Sequence, residues 1–110
     1  MITTHVLDTS IGKPGAAIAV ELERAEHNVW HLVGGGVTDG DGRLRTLTPE
    51  GPVAPGTYRI RFQTEAYFSA RGVAGFFPLV EIQFTIVDGT QHYHVPLLLS
   101  PFGFSTYRGS

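Results

Sequence analysis

The chain has 110 residues, a formal net charge of −2 and no cysteine. That length fits one domain, residues 1–110, with a single core. The composition excludes disulfides, thiolate metal ligands and thiol nucleophiles, and the weak, mixed charge lacks the electrostatic footprint of a nucleic-acid or anionic-membrane partner.

Fourteen glycines and seven prolines punctuate the chain, and no segment sustains a long helical period. Residues 2–8 alternate, with Thr3, His5 and Leu7 on one face and Thr4 and Val6 on the other. Gly12-Lys13-Pro14-Gly15 reads as a turn, followed by a strand over 16–22 with Ile18, Val20 and Leu22 in register. A third strand spans 28–33, ended or bulged by Gly34-Gly35-Gly36. Asp39-Gly40-Asp41-Gly42 is a tight turn that delivers Arg43, Leu44 and Arg45 into a short strand. After a loop over 49–55, residues 56–64 carry Tyr58, Ile60 and Phe62 on one face and Arg59, Arg61 and Gln63 on the other. Residues 64–71 are the one helical candidate, with Thr64 as its cap and Gly72 as its stop. In residues 80–86, Val80, Ile82, Phe84 and Ile86 point inward. Asp88-Gly89 is a turn, and residues 91–100 and 103–108 form the last hairpin through Pro101-Phe102. This spacing of short strands with one helix predicts an all-β, two-sheet antiparallel sandwich.

Four features carry chemistry. His5 lies in an otherwise ordinary strand, where a histidine more often just faces water. His92 and His94 project from one strand face, with Tyr93 on the other. They could form a metal pair, but neither a cysteine nor a nearby carboxylate offers a third ligand. Arg43 and Arg45 follow the rigid turn, and the chain ends in Tyr107-Arg108-Gly109-Ser110 directly after a strand. Asp39-Gly40-Asp41-Gly42 lacks the later acidic ligands of a calcium loop. The three consecutive glycines open no helix, so they form no phosphate loop. Ser100 and Ser105 have no partner base and acid for a triad. No signal peptide, membrane-length apolar run or Ser-Lys-Leu terminus is visible, so a cytoplasmic location is expected.

Thr4-His5-Val6-Leu7-Asp8-Thr9 with Gly12-Lys13-Pro14-Gly15 resembles the opening motif of the transthyretin-like 5-hydroxyisourate hydrolases. Asp41-Gly42-Arg43 resembles their second motif. Phe77-Pro78-Leu79-Val80 and the run from His92 to Pro101 resemble the third, and Ser105 to Ser110 the closing tail. Where the family has Asn shortly before the Asp-Gly-Arg turn, this chain has Thr38-Asp39-Gly40. The resemblance implies an eight-stranded transthyretin-like sandwich of two four-stranded sheets, assembled as a homotetramer with active sites at the dimer–dimer interface. It implies hydrolysis of 5-hydroxyisourate, a small molecule, to 2-oxo-4-hydroxy-4-carboxy-5-ureidoimidazoline in urate breakdown, with neither metal nor organic cofactor. The catalytic group it implies is His5, Arg43, His94 and Ser110, with His5, Arg43, Tyr107, Arg108 and Gly109 binding substrate. His92 matches the motif without an assigned role, and Arg45 matches nothing. By strand parity His5 shares a face with Leu7 and His94 with Leu98; if these faces line the channel that the resemblance implies, Val6, Tyr93, Val95 and Leu97 turn into the sandwich. The main alternative is a transthyretin-like carrier, whose channel would be lined by apolar and hydroxyl groups. A structural sandwich module is the other.

Overall fold

The structure, a computed structural model, describes residues 1–109. The strands are β1 (Ile2–Asp8), β2 (Lys13–Pro14), β3 (Ala19–Glu26), β4 (Val29–Val37), β5 (Arg43–Leu44), β6 (Gly56–Phe62), β7 (Val80–Ile86), β8 (Tyr93–Ser100) and β9 (Gly103–Thr106), with one helix, α1 (Thr64–Ala70), between β6 and β7. One sheet runs β2-β1-β8-β9, with β5 also paired to β1; the other runs β4-β3-β6-β7. The two-sheet sandwich with one short helix is the architecture the strand spacing predicts. Its pairs are antiparallel apart from β1 with β8, which run parallel.

Alternation builds the core. Val6 from β1, Val20 and Leu22 from β3, Ile60 and Phe62 from β6, and Val95, Leu97 and Leu99 from β8 are all buried between the sheets. Burying apolar side chains this way is the main drive for folding. Val6, Tyr93, Val95 and Leu97 do turn inward, as parity requires.

Local details depart from expectation for identifiable reasons. Lys13 and Pro14 form a two-residue strand against Asp8 and Leu7 rather than a turn. β3 begins later than residue 16 because Ala17 takes φ 60°, outside the strand region. β3 and β4 are joined through His27 and Asn28, both at positive φ, the geometry of a two-residue hairpin turn. The three glycines lie within β4, and the bulge falls beside them: Leu22 pairs with Gly34 while Glu23 pairs with Leu32. Thr64 is not the helix cap; its hydroxyl donates to the Phe77 carbonyl at 2.9 Å, tying α1 to the chain before β7. Gly72 does end the helix, at φ 69°. The last strand stops at Thr106, and the tail returns to pair Gly109 with His94.

The end of β1 is anchored by a buried carboxylate. Asp8 accepts hydrogen bonds from Tyr67 (2.7 Å), Arg71 (2.8 Å), and the Ser10 amide (3.0 Å) and hydroxyl (2.5 Å). Burial pushes its pKa upward, but the bonds from Ser10 and Tyr67 and the Arg71 charge outweigh this and hold it below the ordinary value. A lowered pKa contributes stability that is present above the unfolded value and is lost as pH falls through the folded one. Asp8→Ala leaves the Tyr67 hydroxyl hydrogen without its acceptor and the partly exposed Arg71 without its counter-charge, with only the Arg71-to-Tyr67 bond of 2.9 Å kept. The expected loss is about 2–3 kcal/mol, read as a lowered urea midpoint at neutral pH. An unchanged midpoint would show that the anchor contributes nothing.

Candidate active site

The turn before β5 sets the geometry. The Asp39 carboxylate accepts the backbone N–H groups of Arg43 and Asp41, each at 2.9 Å. The Arg43 bond is the leading reason its pKa is lowered. Gly42 then crosses close over β1 at φ 76°, where a Cβ would lie 2.3 Å from the Val6 carbonyl oxygen. Only glycine fits there. The crossing sets Arg43 directly opposite His5 in the β1–β5 ladder, so both side chains leave the same outer face.

On β8, His94 pairs with Thr3 in the parallel ladder. Its imidazole therefore emerges on the face that carries His5, with ring centroids 6.5 Å apart. The His5 Nε2 donates to the Asp41 carbonyl at 2.8 Å. A carbonyl only accepts, so that nitrogen carries the hydrogen and Nδ1 is left for other work. The His94 Nδ1 lies 2.8 Å from the Thr3 hydroxyl, and Nε2 has no hydrogen-bond partner among the described residues. The His94 pKa is lowered by burial first, then by the charges of His5, His92 and Arg43.

Met1, Thr3, Thr4, Arg43, Arg45, His92 and His94 line a cavity of about 250 Å³. No carboxylate lies among these described residues, and two guanidinium groups do, so the cleft suits a small anion. Arg45 belongs to this lining, although it matches none of the family motifs. Thr3 was legible only as a residue sharing the His5 face. Gly109 closes the site from the tail side: its amide donates to the His94 carbonyl at 2.7 Å. Tyr107 and Arg108 do not join this cluster. They line a separate cavity with Phe84 and Tyr93, where the Arg108 guanidinium stacks 4.6 Å from the Tyr93 ring and donates to Gln91 at 2.7 Å. Ser110 lies outside the described residues. A larger cavity of about 560 Å³ lies beside α1, but it is lined mainly by small apolar groups, and its Tyr67 and Arg71 are committed to Asp8.

Residues 2–109 match the HIUase/Transthyretin family. The chain belongs to that family. The 5-hydroxyisourate hydrolase of Salmonella dublin is 46% identical over 110 residues, covering 100% of this chain and 81% of the relative. The structure of Klebsiella pneumoniae 5-hydroxyisourate hydrolase superposes with a TM-score of 0.86 at 35% identity, covering 99% of this chain and 92% of that one. Sea bream transthyretin in complex with thyroxine superposes with a TM-score of 0.92 at 31% identity, covering 98% and 93%. The HIUase/Transthyretin backbone thus does not by itself separate a hydrolase from a thyroxine-bound protein. The side chains on the β1–β5–β8 face have to do so.

Proposed function

We propose that this chain hydrolyses 5-hydroxyisourate, opening its six-membered ring to give 2-oxo-4-hydroxy-4-carboxy-5-ureidoimidazoline. The observation that carries this reading is the convergence of His5, Arg43 and His94 on one outer sheet face, beside a cleft lined by cations and imidazoles. A carrier of an apolar ligand needs an apolar and hydroxylic lining; this one titrates. Curated relatives of the chain named 5-hydroxyisourate hydrolase support the same activity.

In this mechanism His94 Nε2 takes a proton from water, and the hydroxide adds to the ring carbonyl. Arg43 presents a planar fork to the developing oxyanion. The C–N bond breaks, and the proton held by His94 passes to the departing ring nitrogen, so one water is consumed and the imidazole is restored. His5, fixed by the Asp41 carbonyl, helps to hold water and substrate. Gly109 contributes backbone to the cleft wall, and Tyr107 and Arg108 act at one remove by anchoring the tail. Ser110, the last residue of the same tail, is assigned to orienting water or an imidazole. The reaction needs no cofactor in this scheme. The unpaired edges β7 and β9, with Phe104 and Val87 exposed, support assembly with further copies into a homotetramer, its sites at the dimer–dimer interface.

The direct test follows the ultraviolet absorbance of freshly generated hydroxyisourate. The protein is expected to accelerate its loss with saturation kinetics. Loss at the buffer rate would overturn the assignment. The pH dependence is a further expectation. With the His94 pKa lowered below the ordinary 6.5, the acid limb of kcat/KM falls below that value, because the neutral base persists to lower pH. A limb centred above pH 7 would contradict a base in this environment. The unfolded chain takes up the proton first, so stability contributed by this group falls as pH drops from 6.5 toward the folded value.

A further inference from the structure

The Thr3 side chain is buried at the floor of the cleft, only 3% exposed. Its hydroxyl lies 2.8 Å from His94 Nδ1 and 2.8 Å from His92 Nε2. His92 and His94 leave the same face of the chain two residues apart, and His92 is open to solvent. A hydroxyl has a single hydrogen, and a neutral imidazole has a single N–H. When the Thr3 hydrogen goes to His92 Nε2, its oxygen is left to accept from His94 Nδ1–H, and His94 Nε2 is bare. When the hydroxyl instead donates to His94 Nδ1, His94 Nε2 carries the hydrogen and has no room for another. The two rings are thereby coupled through one oxygen.

We propose that Thr3 and His92 are positioning residues that hold the His94 imidazole with its hydrogen on Nδ1 and its Nε2 bare toward the cleft. The inference deepens the hydrolase reading, on which it rests, because a bare Nε2 is what a water-activating base requires. Gly109 supports the same orientation. A Cβ at that position would lie 2.7 Å from His94 Cδ2, so the tail backbone packs against the ring edge and opposes a flip. His92, exposed to solvent, adjusts its tautomer to the hydrogen that Thr3 offers. The hydrogen on one nitrogen of an imidazole is set by the bond the other makes, and here that bond runs through a buried hydroxyl to an exposed ring.

The test is nitrogen NMR of the full chain with labelled histidine, without substrate, at about pH 8, above the ordinary imidazole range. In the native protein His94 is expected to show a protonated Nδ1 and a bare Nε2. Thr3→Val, which keeps the shape and removes the hydroxyl, is expected to move the population toward Nε2–H. His92→Phe, at an exposed position, is expected to move it the same way. In turnover, Thr3→Val lowers kcat by about 10- to 100-fold while KM stays within about threefold, and Thr3→Ser recovers most of the loss. A native His94 with its hydrogen on Nε2 would overturn the proposal, as would a folded Thr3→Val with unchanged tautomer and kcat. Failure of the native protein to hydrolyse hydroxyisourate would instead sink the activity itself, and the tautomer measured without substrate separates the two failures.

Discussion

His94→Ala is expected to lower kcat by about two to four orders of magnitude while leaving the fold intact. The reasoning is local. His94 stands on β8 between the buried Tyr93 and Val95, and its own ring points the other way, into the cleft. Removing the imidazole deletes the base without opening the core, so the urea midpoint stays near that of the native chain. The Thr3 hydroxyl keeps His92 as a partner and is not orphaned. Since the loss falls on proton transfer, kcat drops far more than KM changes. Near-native turnover in folded His94→Ala would remove this residue from the chemistry and shift the base role to His5, whose Nε2 is held by the Asp41 carbonyl and whose Nδ1 is left to act.

Arg43→Ala is expected to lower kcat/KM by about 10²- to 10³-fold, the scale of losing an oxyanion donor. Arg43 is exposed on the outer face, and the backbone beneath it is set by Asp39, Gly42 and the ladder with His5. The side chain can therefore be shortened without disturbing the turn. Arg43→Lys keeps the charge but loses the flat fork, so partial recovery measures how much of the effect is geometry rather than charge. Arg45 lies in the same lining and supplies a control: a loss as large in Arg45→Ala would indicate a general cationic field instead of one oriented donor.

Parity carried much of this into the sequence. Alternation along residues 2–8 and 91–100 was enough to put His5 and His94 on the faces opposite Val6, Val95 and Leu97, because a strand has only two faces; which face is outer came from the family resemblance. Parity cannot say which strands become neighbours. The parallel β1–β8 pair joins segments about ninety residues apart in sequence, a spacing no local turn sets. It brings Thr3 beside His94, which is why Thr3 carried no signal of its own. Arg45 went unassigned for a related reason: whether a side chain near a turn faces a cleft or open water depends on what packs opposite. Tyr107 and Arg108 share a motif with Gly109, yet sequence adjacency did not put them on the same face of β8. The β3–β4 turn escaped notice because His27-Asn28 lacks the glycine that usually marks positive φ.

The central claim is that His5, Arg43 and His94 act on one ligand. A crystal structure with a flat, anionic purine analogue that resists hydrolysis tests it most directly. The analogue is expected between the Arg43 guanidinium and the two imidazoles, with a ring oxygen on the guanidinium and His94 Nε2 facing the attacked carbon. An analogue seated instead beside α1 or against Tyr107, with the β1–β5–β8 face empty, would contradict the account.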